Sequence, residues 1–419
     1  MRRVQYGISE LATEEKKGLA IIRMNNLQDD GWDFSDLKYI ELPPEEAATY
    51  RLESGDILFN RTNSKELVGK CEVFREPGDW VFASYLIRVS VDKTKVLPDF
   101  VSALLNTKAG RAQIDRVSRQ IVGMSNVNAE ELRDLNIPLP PLDVQQKLVS
   151  EFEAQRTARQ QKLAAADALL AGLDNYLLSQ LGLTPPPADH RQVFAVRLKH
   201  LAPERLDADY YRPRFVQLLA AIRKAACKPL GDLIELSHEQ WNPEKETRKT
   251  FRYIEISGVN RKTGEVTAEE TPVAEAPSRA RMLTRQNDLI VSLTRPHHGS
   301  IAAIDAEHDG CICSTGFAVL RGLKDDSVSH EYLLGILRSS LCLEQMLQRS
   351  SGGNYPAITE NELLKIEIPA PAPEIQTRII AEQLRRRTEA RRLRLAAAAE
   401  WSAAKAQFEQ KLLGESAKP

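Results

Sequence analysis

Alternating apolar and polar positions predict β-strands in two distant parts of the chain. Tyr85–Val91 and Phe317–Arg321 place apolar side chains at nearly every second position, which is typical of strands that bury one face. Apolar residues recur instead at helical spacing from Phe100 to Ile114 and from Tyr332 to Leu347. Both parts are therefore expected to mix α and β structure.

The two parts repeat one plan, because their landmarks recur in the same order at an offset of about 230 to 232 residues. The matched segments are Ile21–Gly31 with Tyr253–Gly264, Ser54–Thr62 with Gln286–Thr294, Gly123–Asn126 with Gly353–Pro356, and Asn128–Pro138 with Thr359–Pro369. Ordered matches at one offset predict an internal duplication.

A long helix is predicted after each copy. Proline-rich breaks at 138–141 and 369–373 precede stretches from about Val144 to Leu181 and from about Ile375 to Leu413, which lack glycine and proline until near their ends. An acidic residue, Asp143 or Glu374, lies near the first turn, as suits a helix N-terminus.

Mostly apolar residues along both predicted helices step by four, three and four, which is the stripe of a coiled coil. They are Ala166, Leu170, Leu173 and Leu177 on the first helix, and Trp401, Lys405, Phe408 and Leu412 on the second. A single helix would leave its stripe exposed, so we expect the two helices to pair in antiparallel fashion. The alternative is that each helix packs on its own globular domain.

Length and composition are those of an ordinary globular protein. The chain has 419 residues, 42% hydrophobic and 27% charged, with a net charge of −1, so two to three domains are expected and any DNA-binding surface must be local. No apolar run is long enough to span a membrane, and the start lacks the apolar core of a signal peptide. The five scattered cysteines are expected to be reduced and mostly buried in a cytoplasmic protein.

Several motifs resemble those of the specificity subunits of Type I restriction–modification systems. They are the turns Ile137-Pro-Leu-Pro-Pro141 and Ile368-Pro-Ala-Pro371, the helix openings Gln145-Gln-Lys-Leu148 and Gln376-Thr-Arg-Ile379, the ends Leu181-Gly182 and Leu413-Gly414, and Arg205–Tyr211. The order and duplication of these motifs are specific, although no single one is diagnostic, and the resemblance covers nearly the whole chain.

The resemblance implies an α+β fold with two pseudo-repeated, mixed α/β target-recognition domains, separated by two long antiparallel coiled-coil helices. The expected segments are recognition domains at 1–141 and 184–372, spacer helices at 142–183 and 373–414, and a tail at 415–419. Each domain is expected to read half of a split site in double-stranded DNA, without catalytic residues, cofactor or metal. The expected partners are two methyltransferase subunits, joined in the full complex by motor-nuclease subunits.

One departure from the family pattern concerns the first copy. About 50 residues, from about Val193 to Lys245, precede the first matched strand of the second copy, whereas only about twenty precede it in the first. A shortened first recognition domain is therefore expected.

Candidate DNA-binding residues are polar side chains on the loops that follow the repeated strands, where arginine suits guanine and asparagine suits adenine. In the first domain they are Arg23, Asn25, Asn26, Arg61, Asn63, Lys65, Ser125 and Asn126. In the second they are Asn260, Arg261, Arg295, His297, His298, Asn354 and Tyr355. A basic run, Arg385–Arg394, could face DNA, an acidic partner or solvent.

Two other functional classes are alternatives to DNA reading. A methyltransferase acting alone would need an Asn/Asp-Pro-Pro-aromatic loop and a glycine-rich cofactor turn, and the sequence has neither; no phosphate loop indicates ATP use. A coiled-coil protein-interaction scaffold without DNA specificity remains the alternative.

Helix length predicts the spacing of the DNA site. A helix of about 37 residues spans about 55 Å, which corresponds to about 16 base pairs at 3.4 Å each. The expected site is bipartite, with a nonspecific middle, and asymmetric because the two copies differ in their loop residues.

Overall fold

The computed structural model describes residues 1–29, 31–65, 67–121, 124–184, 189, 191, 193–201 and 205–414. Gly123 and the predicted tail at 415–419 lie outside the described residues. The chain forms two compact units: Met1–Ala165 together with the chain from Arg392 onwards, and Ala166–Arg391. Each unit thus combines one globular part with sections of both long helices.

Short strands and helices alternate in the first globular part. Its strands are β1 (Arg3–Tyr6), β2 (Leu19–Ile22), β3 (Leu27–Gln28), β4 (Gly31–Trp32), β5 (Lys38–Ile40), β6 (Ile57–Asn60), β7 (Thr62–Asn63), β8 (Cys71–Val73), β9 (Trp80–Phe82), β10 (Leu86–Ser90), β11 (Arg119–Ile121) and β12 (Met124–Asn126). Its helices are α1 (Pro44–Tyr50), α2 (Pro98–Leu105), α3 (Lys108–Val117) and α4 (Ala129–Arg133). The long helix α5 (Leu142–Gln180) follows.

The second globular part lies between α5 and the second long helix. Its strands are β13 (Cys227–Pro229), β14 (Ile234–Leu236), β15 (Thr250–Ile254), β16 (Glu269–Pro272), β17 (Ala280–Leu283), β18 (Leu289–Ser292), β19 (Ile301–Ala303), β20 (Ile312–Ser314), β21 (Phe317–Leu323) and β22 (Glu367–Pro369). Its helices are α6 (Pro213–Ile222), α7 (Leu230–Leu233), α8 (His330–Leu337), α9 (Ser340–Arg349) and α10 (Glu360–Leu363). The chain then enters α11 (Pro373–Leu413).

The two globular parts share one sheet topology. The sheet β1-β10-β6-β8 in the first has the counterpart β14-β21-β18-β19 in the second, and β5-β2-β9 corresponds to β16-β15-β20-β17. In both copies the second of these sheets contains one parallel pair, β2 with β9 and β15 with β20. The structure therefore confirms the predicted duplication and the α+β class.

A repeated aspartate turn leads into the central strand of each copy. Asp56 accepts a hydrogen bond from the backbone of Glu53 at 2.9 Å, and Asp288 accepts one from the backbone of Arg285 at 2.7 Å. The residue before each aspartate has positive φ: Gly55 at 96° and Asn287 at 71°. Glycine and asparagine tolerate positive φ better than other residues, which explains why one of them precedes the aspartate in each copy.

The predicted stripes on the long helices are buried inside the chain. Leu177 is 1% exposed and Phe408 is 3% exposed, while Leu170 and Leu412 are half-buried. Within the first unit, Lys162 pairs with Glu400 and Glu151 pairs with Lys411. Residue numbers therefore increase along α5 in the direction in which they decrease along α11. The helices therefore pair in antiparallel fashion within this unit.

The stripe on α5 extends farther back than its apolar residues indicated. Buried or half-buried positions continue at steps of three and four through Leu163, Arg159, Arg156 and Phe152. Arg156 is stabilised there by Glu72 of β8, whose Oε2 lies 3.1 Å from Nη2, and both side chains are largely buried. Arg156, a polar position that interrupts the stripe in sequence, is thus a site where the globular part contacts the helix.

A buried glutamine connects each long helix to its own globular part. Gln145 accepts from the backbone of Leu97 at 2.9 Å and donates to the carbonyls of Lys95 and Pro140. Gln376 makes the equivalent set, accepting from Ser329 at 3.3 Å and donating to Ser327 and Pro371. These glutamines were noted in the sequence only as helix openings.

The second copy carries elements that precede its first sheet. Helix α6 packs its apolar face in the core of this unit, and β13 pairs with β22. In the first copy, β1 takes the sheet position of β14, and the described residues contain no counterpart of α6 or β13.

Other findings bear on the cysteines, on membrane spans and on the limits of the long helices. All five cysteines are free, and four of them are buried. Among the described residues, no helix is both long and apolar enough to cross a membrane. The helix limits fall close to the predicted segments 142–183 and 373–414, while the division into domains stays a prediction.

Phe408→Ala is expected to lower the free energy of unfolding of the first unit by about 3–5 kcal/mol, because it leaves a cavity in the core. The Phe408 ring lies 5.7 Å from that of Phe100 and 5.4 Å from that of Phe152. Leu395→Ala on the same helix is the matched control, since Leu395 is 62% exposed. Urea unfolding followed by tryptophan fluorescence measures both, and equal losses would contradict the packing described here.

Candidate nucleic-acid interface

One pairing of backbone segments recurs at the same place in both copies. In the first, β7 pairs with β12, so that Asn63 lies opposite Ser125 and Thr62 lies opposite Asn126. In the second, Thr294 forms the corresponding bridge with Ala357. The loops that carry most of the predicted DNA-binding residues are therefore brought together in each copy.

The first cluster is built around Arg61 and Asn63. The guanidinium of Arg61 stacks over the ring of Tyr6 at 4.9 Å and donates to the carbonyl of Ser84. The Asn63 amide contacts the sulfur of Met24 at 3.6 Å, which places the loop containing Arg23 and Asn25 beside β7. Asn126 accepts a hydrogen bond from Thr62 at 3.1 Å.

The other predicted residues of this cluster differ in exposure. Asn25 and Lys65 are exposed, whereas Arg23 pairs with Asp36 at 2.8 Å. Asn26 and Ser125 are 1% and 2% exposed. The Asn26 amide forms hydrogen bonds with the backbone of Arg23, Asp33 and Asp36, and it therefore stabilises the conformation of this loop. The prediction that Asn26 and Ser125 contact DNA bases is therefore corrected, because these buried side chains cannot reach base edges.

The second cluster is built around Arg295. Its guanidinium stacks over Tyr355 at 4.3 Å and donates to the carbonyl of Asn354 at 3.4 Å. Tyr355 is 70% exposed, and Asn354 is exposed beside it. Arg295 has a φ of 47°, a strained conformation for a long side chain, and such strain is concentrated at functional sites.

His297 and His298 continue this cluster along a single helical turn. Their rings lie 4.4 Å apart, and the Nδ1 atom of each is buried without a hydrogen-bond partner. Burial lowers the pKa of both imidazoles, and the charges of Arg295 and Arg261 lower it further. No group of three His, Cys, Asp or Glu side chains in the described chain could hold a metal ion.

Asn260 and Arg261 lie in a turn that the Asn260 side chain helps to close. The Asn260 side chain accepts hydrogen bonds from the backbone of Lys262 at 2.9 Å and of Thr263 at 3.0 Å. Arg261 is exposed and is near enough to His298 to affect its pKa. Asn260 is therefore occupied by the turn, while the Arg261 side chain is free to reach outward.

Sequence reasoning missed three side chains of these clusters. Tyr6 stacks on Arg61, Met24 contacts Asn63, and Arg214 is a cation near His297. An aromatic residue close to a repeated strand was a usable signal for Tyr6. Arg214 precedes the repeat by many residues, so only the tertiary structure places it here.

Two polar loop clusters on a duplicated α+β scaffold define a class of paired recognition modules. The chain matches the sequence profile of the Type I restriction modification DNA specificity domain over residues 8–160 and again over 225–388, once for each copy. The two matches cover more than half of the chain, so the protein belongs to this family.

Individual relatives agree with that membership. Over 155 residues the chain is 30% identical to the putative type I restriction enzyme MjaX specificity subunit of Methanocaldococcus jannaschii, an alignment covering 36% of each protein. Over 184 residues it is 24% identical to the type I restriction enzyme EcoKI specificity subunit of Escherichia coli, covering 43% of this chain and 38% of that protein. The alignments thus span less than half of these relatives.

A solved structure shares the fold of the whole chain. It comes from work on complex assembly and conformational transition of the type I R-M system, and it matches with a TM-score of 0.50 at 17% identity. The match covers 98% of this chain and 97% of the other.

Acidification is expected to destabilise the second unit through His297 and His298. Their pKa is lower in the folded state than the ordinary value near 6.5, so the unfolded chain binds protons first as the pH falls. Stability is then lost from about pH 6.5 downward.

The melting temperature at pH 7.5 and pH 5.5 measures this effect. The double variant His297→Gln, His298→Gln is expected to lose less stability on acidification than the natural chain. His238→Gln, outside the cluster, is the control. A loss as large in the double variant as in the natural chain would refute the assignment.

Proposed function

We propose that this chain is a specificity subunit of a Type I restriction–modification complex that reads a bipartite, asymmetric site in double-stranded DNA. Each copy reads one half of the site through its loop cluster. The subunit itself is not an enzyme and holds no cofactor. It docks two methyltransferase subunits, is joined by motor-nuclease subunits in the full complex, and acts in the cytoplasm.

One observation carries this proposal: the same backbone pairing presents different side chains in the two copies. At equivalent positions, the first copy has Asn63 and the second has Arg295. Two domains that recognise different half-sites need the same backbone framework with different polar side chains on its loops, since sequence is read by donors and acceptors at base edges.

The chemistry of each tip suits DNA. Exposed Asn25 and Asn354 offer the paired donor and acceptor that match adenine, and Arg61 and Arg295 offer the fork that matches guanine. Stacking on Tyr6 and Tyr355 holds both guanidinium groups, so their fork is oriented before DNA arrives. Lys65 is exposed, and its positive charge suits a phosphate.

Co-expression with a methyltransferase subunit of the same system, in a host that lacks other methylation, tests the proposal. Long-read mapping of methylated adenines is expected to give a split motif with two unlike halves and a nonspecific gap. A contiguous or palindromic motif would count against it.

Three exposed asparagines give matched variants for the same measurement. Asn25→Ala is expected to relax only one half of the motif and Asn354→Ala only the other, each by about 1–3 kcal/mol of base discrimination. Asn136→Ala, on an exposed loop outside both clusters, is expected to leave the motif unchanged. Relaxation of both halves by one variant would contradict the assignment of one half to each copy.

Salt dependence separates DNA reading from a scaffold function. Binding of the purified complex to its site is expected to fall about 1,000-fold or more between 50 and 200 mM salt, if six or more phosphates are contacted. Fluorescence anisotropy with a labelled duplex measures this slope. Binding that is weak and insensitive to salt would favour the scaffold.

A further inference from the structure

The turn after the first repeated strand of the second copy lies against the long helices rather than standing free. Arg387 of α11 donates from Nη1 to the carbonyl of Thr263 at 2.8 Å. Lys262 reaches Asp167 of α5 at 3.3 Å, and Arg391 of α11 lies 3.7 Å from Glu265. The turn Asn260–Glu265 is therefore attached to both long helices within the second unit.

A second arginine supports the same turn from the globular side. Arg338, at the end of α8, donates from Nη2 to the carbonyls of Arg261 at 2.8 Å and Lys262 at 3.1 Å, and from Nη1 to that of Ile301. Gly264 has a φ of 77°, and a Cβ there would lie 2.8 Å from Nη1 of Arg338. The turn is thus shaped to receive this guanidinium.

The guanidinium groups of Arg338 and Arg387 are near enough to disfavour each other. Burial lowers the pKa of Arg338 to about 9, and the charge of Arg387 adds to the effect. Burial also lowers the pKa of Arg387. Both arginines nevertheless donate to carbonyls of this one turn, which therefore holds two like charges close together.

The equivalent turn of the first copy carries an acidic residue, Asp29, near basic residues of the long helices. Asp29 pairs with Lys70 at 2.6 Å. Burial acts to raise the pKa of Asp29, but Lys70, and then Lys405 of α11 and Arg159 of α5, lower it overall.

We propose that the Asn260–Glu265 turn is a brace that fixes the second globular part on the helix pair, with Arg387 and Arg338 as positioning residues. This inference rests on the proposed function, because its consequence is that the brace limits the gap between half-sites that the complex accepts. Asn260 then sets spacing and not base identity.

Arg387→Ala removes the link from α11, and Arg385→Ala is the matched control. Arg385 lies on the same helix, is 61% exposed, and bonds Glu382 of its own helix. Arg387→Lys keeps one charged donor and is expected to behave nearly as the natural chain. The complex of each variant with the methyltransferase subunit is used throughout.

Two measurements test the brace. Hydrogen exchange of the amides from 260 to 265 is expected to speed up about tenfold in Arg387→Ala and to stay unchanged in Arg385→Ala, as for the loss of one charged hydrogen bond. Methylation rates are then compared on duplexes whose gap is the natural one, one base pair shorter or one longer. Discrimination against the altered gaps is expected to fall about tenfold in Arg387→Ala only.

The outcomes separate the two levels of inference. Unchanged exchange at the turn in Arg387→Ala overturns the brace, as does a change in the bases of the second half-site without a change in gap tolerance. Faster exchange with altered gap tolerance and unaltered bases supports it. If the natural complex shows no split motif, the proposed function fails, and the exchange measurement still decides whether the turn is held by Arg387.

Discussion

The buried amides of Gln145 and Gln376 are the constraint on which the architecture depends. Each is satisfied by three backbone groups, two of them in the loop before α2 for Gln145 and before α8 for Gln376. A buried amide without partners is costly, so the start of each long helix can leave its globular part in one arrangement only. Because the duplication repeats this arrangement, both copies present their loop clusters from equivalent frameworks.

Regular periodicity explains how much of the fold could be predicted from the sequence. The helices α5 and α11 and the sheet strands carry clear patterns of apolar residues, and the constant offset exposes the duplication. The stripe through Arg156 and Arg159 was not predictable, because these arginines are accommodated by tertiary partners: Glu72 for Arg156, and the Trp401 ring 5.6 Å from Arg159. The periodicity of apolar residues predicts which apolar side chains are buried, but it does not predict the burial of polar side chains that are paired in the folded chain.

Prediction of the candidate site is limited in the same way, because the sequence does not show which polar side chains are buried. Sequence placed Asn26, Asn63 and Asn25 in one set because all are polar and lie after repeated strands. The structure divides them, with Asn26 buried as a loop anchor and Asn25 exposed at the tip. Whether an asparagine bonds its own backbone or faces outward depends on loop conformation, which is determined by distant contacts such as that of Asn63 with Met24.

Contacts within each globular part hold the candidate DNA-binding side chains in place, although these side chains differ between the two copies. A side chain discriminates between bases only when its donors are held in place, since a mobile fork would adapt to any base edge. Arg61 and Arg295 are held by aromatic rings, and the turn containing Arg261 is held by Arg338. The like charges of Arg338 and Arg387 oppose each other and stabilise that turn only because its carbonyls accept from both. The turn is therefore held from two sides, by Arg338 of the globular part and by Arg387 of α11.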